Sequence, residues 1–122
     1  MLLASKILTA LVLLIHVYIV LLETVLFKSR GRKVFGVSDE LIGRIGPLMS
    51  NQGCYNGFLV AALVLGFTWT DPAIALAFTV FGLACVAVAG IWGAVTVTTR
   101  ILYIQTVPAA LALATLYLAR MS

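Results

Sequence analysis

Charge is nearly absent from four long stretches of this chain, and that limits its fold more than any motif does. Of the eight Lys or Arg and four Asp or Glu residues in 122, only Glu23 falls inside residues 7–27, 47–69, 72–97 or 101–119. Each stretch is close to the roughly 20 apolar residues that carry a helix across a bilayer. Charged residues are 10% of the chain, against about 25% in a typical soluble domain. The expectation is an all-α membrane protein, a four-transmembrane-helix bundle built as a single domain over residues 1–122 and multi-pass in the cell membrane. Four spans consume nearly the whole sequence and leave no soluble domain.

The first apolar run exceeds the roughly 7–15 residues of a signal-peptide core, and Lys28, Arg30, Arg32 and Lys33 follow it without a small-x-small cleavage site. It is expected to stay as a helix. Cys54 and Cys85 both fall within spans, where a thiol behaves as a small buried hydrophobe rather than a disulfide or metal partner. Lys28, Arg30, Arg32, Lys33 and Arg44 lie between the first two stretches and Arg100 between the last two, while Lys6 and Arg120 are the only cations at the other side. The positive-inside rule therefore places residues 28–46 in a cytoplasmic loop and both termini on the non-cytoplasmic side. The net charge of +4 is topological and argues for membrane-lipid contact, not for nucleic acid.

Helix ends carry local signals. Asp71-Pro72 reads as an N-cap followed by proline at the first helical position, and Gly46-Pro47 as a similar start. Within the loop, Val37-Ser38-Asp39-Glu40-Leu41-Ile42 reads as the capped start of a short amphipathic surface helix, either a lid over residues 37–45 or a simple connector. Small residues Ala75, Thr79, Gly82, Ala89, Gly90 and Gly93 stripe the third stretch, and Gly53 and Gly57 form a G-x-x-x-G pair in the second. Such faces let helices approach closely. They suit packing inside the bundle, with a homodimer as the alternative use.

Against this apolar background His16, Glu23, Asn51, Gln52, Tyr55, Asn56, Trp92, Thr96 and Gln105 stand out. At ~1.5 Å per residue Glu23 lies about 6 Å, and His16 about 16 Å, from the cytoplasmic end of its span; Asn51, Gln52, Tyr55, Asn56, Trp92 and Gln105 fall about 6–14 Å deep. Glu23 and His16, seven residues apart, share a helix face. Intramembrane polar side chains are costly and tend to face one another across a functional cavity. Glu23 and His16 are thus the candidate catalytic pair, and Asn51, Gln52, Tyr55, Asn56, Trp92 and Gln105 the candidate ligand-binding residues. Each has a plain structural use as well, as an interhelical hydrogen bond or an interfacial aromatic. Pro108 frees the carbonyl of Ile104 one turn earlier, beside Gln105.

The order His16-x-Tyr18-Ile19, Leu22-Glu23, NQGCYNG from Asn51 to Gly57, Ala89-Gly90-Ile91-Trp92-Gly93-Ala94 and Gln105-x-x-Pro108-Ala109 resembles the domain-of-unknown-function 1304 family of small bacterial and fungal membrane proteins. The resemblance covers essentially the full chain. It implies a four-helix integral membrane protein and adds nothing on substrate.

Three readings of function stand. In the first, a cytoplasm-facing pocket binds a small amphipathic or lipid-like ligand, with Glu23 and His16 performing acid–base chemistry across ~10 Å of axial separation. In the second, a dimeric transporter couples protonation of Glu23 to release of a small substrate; in the third, the polar residues form a structural network without ligand. A haem site is disfavoured because His16 is the one histidine and no second axial ligand is apparent. The sequence carries no cofactor motif, no metal-ligand spacing, no phosphate-binding glycine loop, no serine nucleophile motif and no nucleic-acid-binding surface. Enzyme, transporter and structural roles stay open.

Overall fold

The computed structural model describes residues 2–122. Five α-helices follow in order: α1 Leu2–Glu23, α2 Arg32–Val34, α3 Asp39–Thr68, α4 Pro72–Thr96 and α5 Val107–Met121. Two π-helical turns, Phe27–Gly31 and Leu102–Thr106, precede α2 and α5. The long helices pack as α1 on α3 and α5, and α4 on α3 and α5. Their shared core is Val12 of α1, Leu63 of α3, Leu83 and Val86 of α4, and Ala109 and Ala112 of α5, with Leu8, Leu59 and Leu113 against it.

The exterior is as apolar as the interior. Leu3, Leu14, Val25, Phe81 and Val95 are all more than 60% exposed, an outward apolar surface that water would not tolerate and lipid would. Three helical segments are long and apolar enough to span a membrane: Leu2–Glu23, Pro72–Thr96 and Leu102–Met121. The chain is a multi-pass membrane protein.

That count corrects the expected four-transmembrane-helix bundle. The second expected span lies within α3, whose 30 residues suffice in length but whose middle carries Asn51, Gln52, Tyr55 and Asn56. These amides and the phenol dilute its apolar character below that of the other three. With a fourth crossing unsupported, the placement of both termini on the non-cytoplasmic side, which combined the positive-inside rule with four crossings, goes too.

The segment expected as a loop is also largely helical. Gly36, at φ +68°, closes α2: the Gly36 N–H donates to Lys33 O and the Val37 N–H to Arg32 O, a paired end that needs a left-handed residue and therefore glycine. Ser38 is the N-cap of α3 and Asp39 and Glu40 fill its first turn, where carboxylates complement the helix dipole. The helix then runs straight through Pro47 instead of restarting there. A proline deletes one backbone hydrogen bond at a cost of about 3 kcal/mol, which a 30-residue helix packed on two neighbours can absorb. Asp71 caps α4 as its sequence suggests, its carboxylate accepting from the N–H of Ala73 at 2.8 Å and of Ile74 at 3.2 Å.

Small residues serve contacts within the chain. A methyl on Gly53 would stand 2.5 Å from Thr24 Cγ2 and 3.2 Å from Glu23 Cβ, so α1 and α3 meet there with no room for a side chain. Gly57, one turn on, has nothing within 4 Å of that position. The two halves of the G-x-x-x-G pair therefore do different jobs. Gly53→Ala is expected to lower stability by about 1–3 kcal/mol through overpacking, whereas Gly57→Ala should raise it by up to about 1 kcal/mol through helix propensity. Unfolding of each variant in mild detergent measures both, and equal damage at the two positions would mean that Gly57 also faces a close neighbour.

Candidate functional site

Helix α1 buries one narrow polar stripe. Ser5, Thr9, Val12, His16 and Glu23 are all at most 5% exposed, and their three-, four- and seven-residue spacings put them on a single face. The hydroxyls of Ser5 and Thr9 donate to Leu2 O at 2.8 Å and Ser5 O at 2.7 Å, one turn back in the same helix. His16 Nδ1 lies 3.0 Å from Val12 O. A carbonyl can only accept, so Nδ1 carries the proton, and in the neutral ring Nε2 presents a lone pair. That Nε2 is buried without a hydrogen-bond partner.

At the end of the stripe α1 is joined to α3. Asn56 Nδ2 donates to Glu23 Oε1 at 2.6 Å, and both side chains are buried. Gly53, one turn before Asn56, supplies the close approach that lets these short side chains meet. A second interhelical bond lies on the other helix pair: Thr106, in the π-helical turn before α5, donates to Ala87 O of α4 at 2.9 Å. Here too a glycine makes room, because a methyl on Gly90 would collide with Thr106. The α1–α3 contact and the contact of α4 with the turn before α5 thus each combine one side-chain hydrogen bond with one glycine contact.

Beyond Glu23 the basic segment is tied down by two exposed links. The Arg30 guanidinium lies 5.8 Å from the centroid of the Tyr18 ring while its Nε donates to the Tyr18 hydroxyl, and Arg32 pairs with Asp39. Exposed ion pairs contribute little to stability, on the order of 0–1 kcal/mol. Their use is to fix the π-helical turn and the start of α3 relative to α1.

The other expected site residues are placed apart from the Glu23–Asn56 pair. Asn51 and Gln52 are exposed, Tyr55 is 59% exposed and packs edge-on against Phe58, and Trp92 is 71% exposed. Thr96 donates back to Trp92 O. Gln105 is partly buried, with its Cβ alongside Gly90. His16 shares the buried face of α1 with Glu23 but lies about 10 Å along the axis. Glu23, His16 and Asn56 do not line the open groove at the opposite end of the molecule. Among the described residues no three His, Cys, Asp or Glu side chains gather as metal ligands do, and Cys54 and Cys85 are both free.

Sequence reasoning passed over Ser5, Thr9 and Thr106. A signal was present for two of them, since Thr9, His16 and Glu23 recur at intervals of seven and Ser5 lies one turn before Thr9. Thr106 could have been flagged by its place between Gln105 and Pro108, where a helix must adapt. In the structure the Val107 N–H reaches back five residues to Leu102 O, which widens the helix one residue before the proline.

Neither a curated protein nor a solved structure matches the chain. The family described as protein of unknown function (DUF1304) matches residues 10–117, a stretch that takes in the His16, Glu23, Asn56 and Thr106 positions on which the helix contacts turn. The chain belongs to the DUF1304 family of proteins of unknown function.

Proposed function

We propose that the buried polar residues of this protein are structural: Glu23 and Asn56 form an interhelical tie that sets α1 against α3 within one membrane-embedded domain, and no ligand is needed for it. The observation that carries this is the 2.6 Å contact between two buried side chains on different helices. Lipid tails are as apolar as leucine, so helices in a bilayer gain little from burying apolar surface against each other; close packing and interhelical hydrogen bonds replace that drive. Glu23 with Asn56, and Thr106 with Ala87 O, are bonds of this kind, each set beside a glycine.

The reading of Glu23 and His16 as an acid–base pair in a ligand pocket, with Asn51, Gln52, Tyr55, Trp92 and Gln105 orienting the ligand, draws less support. General acid–base chemistry needs both groups within hydrogen-bond reach of one substrate. Glu23 is already engaged by Asn56, and Asn51, Gln52, Tyr55 and Trp92 point away. Proton-coupled transport through Glu23 has one observation in its favour. The stripe from Ser5 through Thr9 and His16 to Glu23 extends about 27 Å along α1, close to the ~30 Å thickness of hydrocarbon, and His16 Nε2 stands unpartnered within it.

A double-mutant cycle separates a structural tie from a chemical role. Glu23→Leu and Asn56→Leu should each lower stability by about 1–3 kcal/mol, because each leaves the other's polar group buried and unpaired. The double variant should lose less than the sum, with a coupling of roughly 0.6–1.7 kcal/mol as found for hydrogen bonds between membrane helices. Single variants as stable as the wild type would overturn the tie.

Glu23→Gln tests the alternative. It keeps a carbonyl oxygen to accept from Asn56 and removes the titrating proton, so stability should stay within about 0.5 kcal/mol of the wild type. Proteoliposomes under an imposed pH gradient should then behave alike with either protein. A proton flux present in the wild type and lost in Glu23→Gln would establish transport in place of the structural role.

A further inference from the structure

The end of the molecule remote from Glu23 holds an open groove of about 570 Å³ between all four long helices. Lys6 of α1 and Arg120 of α5, far apart in sequence, converge on its mouth, and no Asp or Glu lines it. They are the two cations that lie outside the basic run of residues 28–44 and the Arg100 turn. We propose that this groove binds an anionic phospholipid of the surrounding bilayer, with the phosphate between Lys6 and Arg120 and one acyl chain laid inward between the helices.

The wall chemistry separates a lipid from a soluble anion. Ser5, Thr9 and Thr79 all line the groove, and each donates its only proton to a carbonyl of its own helix: Leu2 O at 2.8 Å, Ser5 O at 2.7 Å and Ala75 O at 2.9 Å. The interior therefore offers lone pairs and methyl groups but no hydroxyl proton to an anion. Negative charge has favourable partners at the rim alone. Phe67, Leu76 and Leu116 add apolar lining suited to a hydrocarbon chain. The volume lies within the roughly 300–1,000 Å³ usual for small-molecule sites, far more than a bare phosphate would fill. Because α1, α4 and the segment Leu102–Met121 are long and apolar enough to span a membrane, the ligand is drawn from the lipid already around them.

Native mass spectrometry of the full chain in neutral detergent, with equimolar phosphatidylglycerol and phosphatidylcholine of identical acyl chains, tests the assignment. The wild type should retain phosphatidylglycerol over phosphatidylcholine, and each cation removed should weaken that preference about fivefold. Lys6→Gln with Arg120→Gln should therefore bring it near parity without changing the thermal midpoint. Ala119→Phe, which fills the groove, should release both lipids; Leu76→Phe serves the same purpose if the first variant folds poorly. Retention of the preference in the Lys6→Gln, Arg120→Gln variant, together with its loss in Lys28→Gln, Lys33→Gln, would move the anion site to the basic segment and overturn the proposal. Displacement of phosphatidylglycerol by millimolar inorganic phosphate, with no dependence on acyl-chain length, would show a headgroup-only site and would equally overturn it.

Discussion

In hydrocarbon a backbone or side-chain polar group has no water to turn to, and an unsatisfied one costs several kcal/mol. Every element of this fold answers that constraint. The hydroxyls of Ser5, Thr9, Thr68, Thr79, Thr96 and Thr115 each donate to a carbonyl three or four residues earlier in their own helix, so they can occupy apolar helices without seeking partners elsewhere. At two places where the chain leaves regular α-geometry, π-helical turns keep backbone pairing at five-residue separation: Leu26 N–H to Leu21 O and Gly31 N–H to Leu26 O at the first, Val107 N–H to Leu102 O at the second. Exceptions to this self-sufficiency are accordingly informative. Among those exceptions are the Asn56–Glu23 bond, the Thr106–Ala87 bond and the bare Nε2 of His16.

The two interhelical bonds follow one design. Asn56 and Thr106 have short side chains, and their bonds form where two backbones approach closely. Gly53 and Gly90 remove the side chains that would hold the backbones apart, and the bond forms in the space so created. The glycine and the polar residue are therefore useful only together, and a change to either acts on the same contact. Gly57, a matching glycine by sequence, faces open space and carries no such contact.

Much of the fold was legible because hydropathy and capping act locally. The apolar runs that became α1, α4 and α5, and the Asp71-Pro72 start of α4, follow from residues that need no distant neighbour to declare themselves. The passage of α3 through Pro47 was not legible, since the proline's local preference for a helix start competes with packing energy that only the folded chain supplies. Nor was the sorting of polar residues. Depth along a span put Glu23, Asn56, Asn51, Tyr55 and Trp92 at comparable levels, but depth says nothing about rotation about the helix axis. Glu23 and His16, seven apart on one helix, are both buried, whereas the rotation of α3 relative to α1 turns Asn56 inward and leaves Asn51 and Tyr55 outside.

That rotation bears on how α3 differs from its neighbours. Asn51, Gln52 and Tyr55 face outward on the same helix whose composition falls short of a lipid-spanning segment, and Trp92 does so on the adjoining α4. Tyr and Trp rings settle where an apolar body and a polar tip can both be satisfied, the membrane–water boundary. Exposed amides gain from the same water. Placing this band at the boundary, with Arg30, Arg32 and Lys33 just beyond it, satisfies the outward polar groups without a cavity and leaves the apolar remainder of α3, from Phe58 onward, to pack on α4 through Leu63 and Gly82. The inward amide of Asn56 then has a different task from its outward neighbours, because it alone of this group reaches Glu23 and is removed from that water.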